Sequence, residues 1–411
     1  MPPVDTQAPI TFNPLEPGYL DDPYSQLAAV RSGNPVHELF DRWGLFRYED
    51  CFKLLRDPSL SVEETNSDIL ETDRADQFRA ELQAQGLELE RDRSMLGLDP
   101  PDHTRLRKLV TKAFTPRTIE TLRDRVQEMV DEKLDAMAAA GRADVVSELA
   151  FPLPFDVINE MLGLPDTDKA MINEWSGAMV KTLDPIVSPE DIKASVQGQI
   201  HMDAHIEKVI AWKRENPADD LLTRMIEAEE DGDRLTTREL VAQVTLLFIA
   251  GHETTVNLIG AGLFELLRNP EQLALWRDDD GLDANAVDEL LRFVSPVQMS
   301  RRITTAKIEF TGTPIPHRAF VLAMLASANR DPEKFGATAD RLDLTRSDAG
   351  QHLSFGSGSH YCLGASLAKM EAQVAIGSFI RRFPNARPDG DHVWNGRLNL
   401  RGLESLPLAL S

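Results

Sequence analysis

The chain has 411 residues, a net charge of −23 at neutral pH and a 42% share of hydrophobic residues. This length and hydrophobic content suffice for a large buried core. The negative charge argues against a nucleic acid or an anionic membrane as a partner bound through bulk electrostatics. The sequence contains two cysteines, Cys51 and Cys362, and so few cysteines are typical of a protein from the reducing cytoplasm.

The N-terminal residues 1–22 are rich in proline and acidic side chains, with neither an apolar core nor a basic flank. They are predicted to form an extended segment, because they lack the features of a signal peptide or a membrane anchor. The longest apolar run elsewhere, Val244 to Gly251, is far shorter than the ~20 residues that a bilayer span requires. We therefore expect a soluble protein without a membrane anchor.

Short helices and strands are predicted next. The patterns give helices over Pro23–Arg31 and Glu49–Arg56 and strands over Val36–Leu39 and Trp43–Arg47.

Residues 61–92 interrupt this pattern, with ten acidic residues against three arginines. Long connections in compact domains are usually functional or disordered, and one surface helix is predicted here, over Arg74–Gln85. Few apolar residues are available to offset the entropy of ordering this segment. We expect it to be mobile and to order when a ligand binds, and a passive solvated insertion remains the alternative.

The rest of the chain is predicted to be mainly helical, with small β-sheets at the edge. Helices are predicted over Pro101–Phe114, Pro116–Ala140, Val157–Leu162, Lys169–Thr182, Pro189–Arg214, Leu221–Glu229, Thr236–Arg268, Ala284–Phe293 and Ala365–Ile380, and one further strand over Lys307–Phe310. No linker or internal repeat divides the sequence, so we expect one domain over residues 1–411.

The longest predicted helix carries the first candidate site. Thr236 and Glu239 can form a capping box at its start, and the apolar stretch from Leu246 to Gly251 predicts a buried helix. Glu253 and Thr254 follow, and polar groups in an apolar helix need partners or a function. A threonine can bond back to an earlier carbonyl and open the helix for a small ligand. A kinked core helix with a solvent-facing Glu253 is the alternative.

Two charged pairs share a helix face. Glu289 and Arg292 stand at i and i+3, the usual spacing of a surface ion pair. His103 and Arg107 stand at i and i+4, so both side chains point the same way. Each pair taken alone is best explained as a solvated surface feature.

The run Phe355-Gly-Ser-Gly-Ser-His-Tyr-Cys362-Leu-Gly364 is the most informative stretch. Its glycines allow the backbone to approach a large flat ligand. A thiolate at the start of a helix is stabilised by the unpaired N–H groups there. Cys362 is therefore a candidate metal ligand, although free cysteines are often small buried hydrophobes. A haem iron held by a single thiolate requires one cysteine of this kind.

This ten-residue run resembles the haem-binding loop of the cytochrome P450 family, in which a phenylalanine, glycines, a basic residue two positions before the cysteine, and the cysteine recur. The motif Ala250–Thr255 and the pair Glu289 and Arg292 occur in the family's order, so the resemblance covers nearly the whole chain. It implies a single, roughly triangular, helix-rich domain that binds haem b (iron protoporphyrin IX) through Cys362. A cysteine bound to iron would leave no disulfide.

The resemblance also implies roles around the iron. Glu253 would belong to a proton-delivery path, and Thr254 would hold dioxygen by a hydrogen bond. Phe355 would pack on the thiolate side, and the N–H of Gly364 would donate to the sulfur of Cys362.

Two further groups of charged residues gain roles from the resemblance. Glu289 and Arg292 would be a buried structural pair, with Arg341 as a third basic member. Whether Arg301 or its neighbour faces the haem is open, with the neighbour favoured. The residues implied to hold the two propionates are His103, Arg107, Arg302 and His360.

Substrate would lie over the opposite face of the haem, and the long loop 61–98 would give access to it. The residues implied to contact substrate are mostly apolar, as expected for a hydrophobic ligand: Met95, Leu96, Leu246, Ile249, Ala250, Val297, Gln298, Met299, Asn399 and Leu400.

The implied reaction inserts one oxygen atom of O2 into a C–H bond of a hydrophobic small molecule. Only 47 residues follow Gly364, too few for a flavin or iron–sulfur segment, so we expect electrons from a ferredoxin and its reductase. Two alternatives remain, a peroxide-driven hydroxylase and a haem carrier or sensor without chemistry. The presence of Glu253 and Thr254 disfavours the first, because peroxide already carries its protons.

Overall fold

The structure is a computed structural model that describes residues 10–39, 41–68, 80, 82–87, 93–165, 169–230 and 232–411. The surface helix predicted over 74–85 lies largely outside these residues, although residues 80 and 82–84 are helical. Most of the acidic segment whose mobility and ordering were predicted also lies outside them.

Helices make up most of the fold, as predicted. Within the described residues the α-helices, numbered α1 to α15, span Pro23–Gly33, Tyr48–Arg56, Asp102–Ala113, Pro116–Glu120, Arg123–Ala140, Pro152–Leu162, Lys169–Val180, Pro189–Glu215, Leu221–Glu227, Thr237–Arg268, Pro270–Asp278, Asp283–Val294, Leu325–Ala328, Pro332–Phe335 and Ala365–Arg382.

The strands are short and lie in small sheets. Within the described residues the strands, numbered β1 to β13, span Val36–Leu39, Arg42–Leu45, Arg142–Asp144, Glu229–Glu230, Asp233–Arg234, Ser300–Ile303, Ile308–Phe310, Thr313–Ile315, Phe320–Ala323, Arg387–Pro388, Val393–Trp394, Leu403–Ser405 and Pro407–Ala409. The four-stranded sheet has the order β1-β2-β9-β6, in which β2 and β9 are parallel and the other pairs antiparallel. A three-stranded sheet has the order β10-β13-β3.

The prediction of one continuous helix over Pro116–Ala140 is wrong. The segment Pro116–Ala140 forms two helices, α4 and α5, that are separated at Thr121 and Leu122. At the break the hydroxyl of Thr121 donates to the carbonyl of Thr118 at 2.7 Å, and the N–H of Leu122 donates to the carbonyl of Ile119 at 3.0 Å. A side chain that competes for the backbone carbonyls, with bonds of i to i−3 type, ends an α-helix.

The central helix α10 begins as predicted, with a capping box between Thr236 and Glu239. It packs against α6, α8, α12 and α15, and its long buried face lies in the largest hydrophobic cluster of the protein. Among the described residues it is the one helix long and apolar enough to cross a membrane, contrary to the estimate from the run 244–251. However, 61% of its most apolar stretch is buried inside the protein, as in any core helix.

The N-terminal residues 10–22 form turns rather than helix or strand. They bury Phe12 and Tyr19, whose rings meet edge to face with centroids 5.6 Å apart. Phe12 also contacts the ring of Phe46 at 5.7 Å. This segment therefore covers one face of the four-stranded sheet.

Candidate active site

The cysteine loop is closed by its own backbone and seated on α2. The N–H of Cys362 donates to the carbonyl of Phe355 at 2.9 Å, and α15 begins at Ala365, directly after the loop. Gly358 has a φ of +74°, and a Cβ there would lie 2.7 Å from the carbonyl oxygen of Leu55. Both observations require glycine at this position, which fixes the loop against α2.

Cys362 reaches the protein surface, although protein atoms surround its thiol on the other sides. The protein around it is dense, and burial raises the pKa of its thiol. The N–H of Gly364 and the charge of Arg107 act in the opposite direction, and a bound metal cation would favour the thiolate further. The ring of Phe355 lies in the loop beside the rings of His352 and Tyr361, with centroids 5.6 Å and 6.2 Å away.

Three predicted basic residues meet at this loop. The rings of His103 and His360 lie with centroids 4.1 Å apart. Arg107 donates from Nη2 to the carbonyl of Tyr361 at 2.6 Å. Burial and the neighbouring positive groups lower the pKa of His103, and the same causes lower the pKa of His360 to about 3. Basic groups crowded in this way are suited to an anionic ligand.

The structure distinguishes the two adjacent arginines of β6. Arg302 is buried, and its Nη2 donates to the carbonyl of Leu55, beneath the cysteine loop, at 3.1 Å. Arg301 instead points outward and pairs with Glu64. Burial lowers the pKa of Arg302 to about 10. The fourth predicted basic residue therefore points inward, toward the other three.

The residues at this loop fit a haem. Both ring nitrogens of His103 are buried without a hydrogen-bond partner among the described residues. A buried nitrogen without a hydrogen-bond partner costs about 1–3 kcal/mol. The guanidinium of Arg302 donates to two backbone carbonyls, those of Arg301 and Leu55. The two carboxylates of a haem would supply the acceptors, and the sulfur of Cys362 would supply the ligand to iron.

The polar motif of α10 lies at an accessible stretch of an otherwise buried helix. Ala250 is exposed and Thr254 is partly exposed, although both lie in the middle of the molecule's longest helix. The hydroxyl of Thr254 donates to the carbonyl of Ala250 at 2.8 Å, the backward bond that was predicted. At Gly251 a Cβ would lie 2.6 Å from the side chain of Ile158. The element that approaches Gly251 closely is therefore α6, which carries Ile158.

Glu253 has a partner that sequence reasoning missed. Its carboxylate pairs with the guanidinium of Arg397, and the two side chains are 14% and 18% exposed. The solvent-facing alternative for Glu253 is therefore wrong. The neighbouring His252 is held by a contact of 2.9 Å between its Nε2 and the carbonyl of Phe151. No local signal identifies Arg397, because the pair joins two segments far apart in the sequence.

The pair of Glu289 and Arg292 is fully buried. Arg292 donates from Nε and Nη2 to the two carboxylate oxygens at 2.7 and 2.8 Å. The prediction that Arg341 supplies a third basic side chain is wrong, because that side chain is exposed and only its carbonyl joins, at 3.0 Å. Arg346 occupies the place, with Nε 3.4 Å from Glu289.

Part of the predicted substrate surface is available to a ligand. Leu246, Ile249 and Val297 are partly exposed within the protein interior, like Ala250. Leu96 is 53% exposed, whereas its neighbour Met95 is buried and donates its N–H to Gln243 Oε1 on α10 at 3.1 Å. An apolar face of α10 and the turn at residues 95–97 therefore lie on the same side of the molecule.

Four residues predicted to contact substrate also hold the protein together. Gln298 is buried and donates to the carbonyl of Ser295 at 2.6 Å, at the end of α12. Met299 is buried in the cluster that contains Phe12. The remaining two residues, Asn399 and Leu400, use their polar groups or backbone to join neighbouring segments.

The described ends of the loop 61–98 are joined to the core. Ser61 forms a β-bridge with Ile303, with hydrogen bonds of 2.9 and 2.7 Å. Asp99 accepts the N–H of Val62 at 2.9 Å and the hydroxyl of Ser61. The backbone carbonyl of Asp99 also accepts the N–H of His103 at 3.0 Å. The base of the loop is therefore fixed to the helix that carries two of the basic site residues.

Comparison with known proteins agrees with this geometry. A family model described as Cytochrome P450 matches residues 67–275 and 283–397. Cytochrome P450 107B1 of Saccharopolyspora erythraea is 41% identical over 405 residues, 96% of each chain. The monooxygenase PikC of Streptomyces venezuelae is 39% identical over 94% of this chain and 91% of its own. Among solved structures, the cytochrome P450 PksS of the Bacillus subtilis bacillaene polyketide synthase has a TM-score of 0.86 and 35% identity, and the match covers 98% of this chain and 100% of that chain.

Proposed function

The chain belongs to the cytochrome P450 family and is a haem-thiolate monooxygenase; from this premise we propose that it inserts one oxygen atom of O2 into a C–H bond of a hydrophobic small molecule. The observation that carries the proposal is the convergence of four basic residues on the loop of Cys362, where both ring nitrogens of His103 lack a hydrogen-bond partner within the described part of the chain. A haem bound in this way requires a thiolate for the iron and basic side chains for the propionates at one loop.

The cofactor is proposed to be haem b, held without covalent attachment to the porphyrin. Thioether attachment requires cysteines beside the ring edge. Cys51 is buried in α2, where its sulfur lies 3.1 Å from the carbonyl of Leu45, and Cys362 is assigned to iron. His103, Arg107 and Arg302, together with His360, would hold the propionates. When bound, the haem supplies electron transfer and cleavage of the O–O bond.

Two residues of α10 are proposed to manage the protons of the reaction. The hydroxyl of Thr254 lies at the accessible stretch beside Ala250. It is proposed to release the carbonyl of Ala250 and donate its one hydrogen to dioxygen, because a hydroxyl has a single donor. The carboxyl of Glu253 is proposed to bring protons to this stretch from the side where Arg397 binds it. Thr254 would hold dioxygen and Glu253 would supply protons, which are needed because one oxygen atom must be protonated and leave as water.

The substrate is proposed to lie against the partly exposed apolar residues. Leu246, Ile249 and Ala250 form one face of α10, and Val297 precedes β6. Such a surface favours a hydrophobic ligand and offers few polar groups to orient it. Substrate is proposed to enter past the loop 61–98, at whose end the exposed Leu96 lies.

Electrons are proposed to come from a ferredoxin and its reductase. A groove of about 710 Å³ lies beside the cysteine loop, and Phe52, Arg56, Lys334 and Tyr361 are among the residues that line it. Arg56 is exposed and Tyr361 is 44% exposed. Cations at this face of a chain with a net charge of −23 suit an acidic electron carrier, because complementary charge steers association.

The test of the proposal has two steps. Hydrophobic compounds are screened for a ligand-induced spin-state shift of the haem, and each hit is then incubated with reduced ferredoxin or with hydrogen peroxide. We expect hydroxylated product with ferredoxin and O2, and little with peroxide. Product with peroxide alone would favour the peroxide-driven alternative. A haem carrier or sensor would give no product under either condition.

The charge proposal has its own test. Arg56→Glu should slow the first electron transfer from ferredoxin, and the difference from wild type should shrink at high salt, since salt screens surface charges. The spectrum of the haem should not change.

We further propose that residues 1–411 work as one domain and that the protein acts in the cytoplasm.

A further inference from the structure

The connection between α7 and α8 is hydrogen-bonded to a turn at residues 395–400. Asp184 lies in this connection and accepts two backbone N–H groups, that of Asn399 at 2.8 Å through Oδ1 and that of Leu398 at 3.1 Å through Oδ2. The side chain of Asn399 returns a third bond, from Nδ2 to the carbonyl of Leu183 at 3.0 Å. A carboxylate bound through both oxygens fixes the direction of the turn as well as its position.

Arg397 belongs to the same turn, and its guanidinium binds Glu253 on α10. The turn is stiff at this residue. The N–H of Arg397 donates to Asn395 Oδ1 at 3.1 Å, and the Nδ2 of Asn395 donates to the carbonyl of Leu400 at 2.9 Å. The position of the guanidinium is therefore tied to the position of the whole turn.

The inner edge of the turn is attached to the strand region before β6. The carbonyl of Asn399 accepts the N–H of Gln298 at 2.8 Å, and its Oδ1 accepts the N–H of Met299 at 3.1 Å. The outer edge presents the N–H groups of residues 398 and 399, and Asp184 accepts both. Asp184 thus completes the attachment from the opposite side.

The charge of Arg397 acts on two carboxylates, those of Glu253 and Asp184. Burial raises the pKa of Asp184, while the N–H bonds from the turn and the charge of Arg397 act against this rise. Arg397 is therefore close enough to influence both Asp184 and Glu253. The 395–400 turn therefore connects Asp184, which accepts its backbone N–H groups, with Glu253, which binds its Arg397 side chain.

We propose that Asp184 and Arg397 are positioning residues for Glu253: Asp184 holds the 395–400 turn in the place from which Arg397 orients the carboxyl of Glu253. The inference rests on the proposed role of Glu253 in proton delivery. Neither residue touches the reacting atoms: Asp184 acts through the turn, and Arg397 acts through Glu253.

The physical reason is the freedom of the glutamate side chain. A carboxyl with one fixed partner keeps one rotamer, and displacement of that partner lets the side chain turn away from the path of the proton. Small misplacements of a catalytic group lower its rate strongly. Protons that arrive late leave reduced oxygen to escape as hydrogen peroxide in place of product.

The experiment compares Asp184→Ala, Arg397→Ala and the double variant in the haem-loaded enzyme with reduced ferredoxin and a hydrophobic substrate. Each single variant should lower the product formed per electron by roughly threefold to tenfold and raise peroxide release. The double variant should be no worse than Arg397→Ala, because residues that act in series are not additive. Arg397→Lys keeps the charge and should recover part of the loss.

A measurement independent of activity follows the turn itself. Amide hydrogen exchange at Leu398 and Asn399 should become faster by roughly tenfold or more in Asp184→Ala, since both N–H groups lose their acceptor. Lys181→Ala is the matched control, because Lys181 belongs to the same connection but pairs with Asp191 at 3.0 Å on the surface. This control should change neither the exchange nor the coupling.

Two results would overturn the inference. The first is unchanged coupling in Asp184→Ala while exchange of the turn has risen. The second is a double variant whose loss equals the product of the two single losses. Glu253→Gln separates this failure from failure of the proposed function. If Glu253→Gln uncouples the enzyme and the two positioning variants do not, only the further inference is wrong.

Discussion

The thiolate side of the molecule and the oxygen side satisfy their polar groups to different degrees. On the thiolate side, Ser354 precedes the cysteine loop 355–364 and donates its hydroxyl to the carbonyl of Leu291 on α12 at 2.6 Å. The same helix carries the pair of Glu289 and Arg292, in which five hydrogen bonds use all five donors of the guanidinium. On the oxygen side, Ala250 and Thr254 are accessible, and the one ion pair of Glu253 among the described residues is that with Arg397.

This difference follows from what each side must do. A fully bonded buried network is rigid and strongly penalises the loss of any member. Groups that move protons must change partners during the reaction, so they cannot be fully bonded beforehand. We therefore expect substitutions on the thiolate side to remove the cofactor or the fold, and substitutions on the oxygen side to change the fate of electrons.

The largest expected effect is that of Cys362→Ala. It should abolish the thiolate-type spectrum of the reduced carbon monoxide complex and all oxygenase activity, because no other described cysteine lies at the haem loop. Absorption spectroscopy measures this directly. Cys51→Ala is the control and should keep the spectrum, since Cys51 is buried in α2. A thiolate-type spectrum in Cys362→Ala would remove the ligand assignment.

The second largest effect is expected for Arg292→Ala. It leaves the carboxylate of Glu289 buried without its bidentate partner, which costs about 3–5 kcal/mol of the free energy of unfolding. Urea unfolding of the haem-loaded protein measures the loss. Arg341→Ala is the control: its exposed side chain makes no contribution and its carbonyl remains, so the change should stay within about 0.5 kcal/mol. Equal losses in the two variants would contradict the buried network.

Thr254→Ala tests the oxygen side. It should keep the haem spectrum and the stability of the protein while product per electron falls by roughly tenfold, with hydrogen peroxide in its place. Thr255→Ala is the matched control, because that hydroxyl makes the same backward bond, to Gly251 at 3.0 Å, but is buried. Unchanged coupling in Thr254→Ala would move its role to Glu253.

The last prediction concerns an exception on the thiolate side. Glu371 on α15 is buried, its Oε2 has no hydrogen-bond partner among the residues that the structure describes, and burial raises its pKa to about 8. A raised pKa means that the folded state holds a proton that the unfolded state loses above its own pKa. Stability from this group is full below that lower pKa, declines as pH rises, and is lost by about pH 8. Urea midpoints across this range should fall in wild type and fall less in Glu371→Gln. Equal slopes would contradict the assignment.

The sequence predicts those structural features that depend on residues close together in the chain. The capping box of Thr236 and Glu239, the glycines of the cysteine loop and the backward bond of Thr254 are local features, and each is present in the structure. The break at Thr121 was missed because apolar spacing continues across it, while the side chain competes for the backbone.

The errors at the site arise where distant segments meet. Arg341 and Arg346 are close to each other in sequence and far from Glu289, and only packing decides which guanidinium turns toward that carboxylate. Gln298 and Met299 were assigned to substrate by position, yet the strand and helix end around them use both side chains internally. The bond of Asp184 to the 395–400 turn has no sequence signature at all.

The most direct test of the account is the absorption spectrum of the reduced wild-type protein with carbon monoxide. A thiolate ligand from Cys362, with His103 and His360 facing the propionates, predicts the thiolate-type spectrum in the protein loaded with one haem per chain. A spectrum of the imidazole type would place a histidine on the iron. That result would contradict the assignment of the cysteine loop and, with it, the division between a thiolate side and an oxygen side.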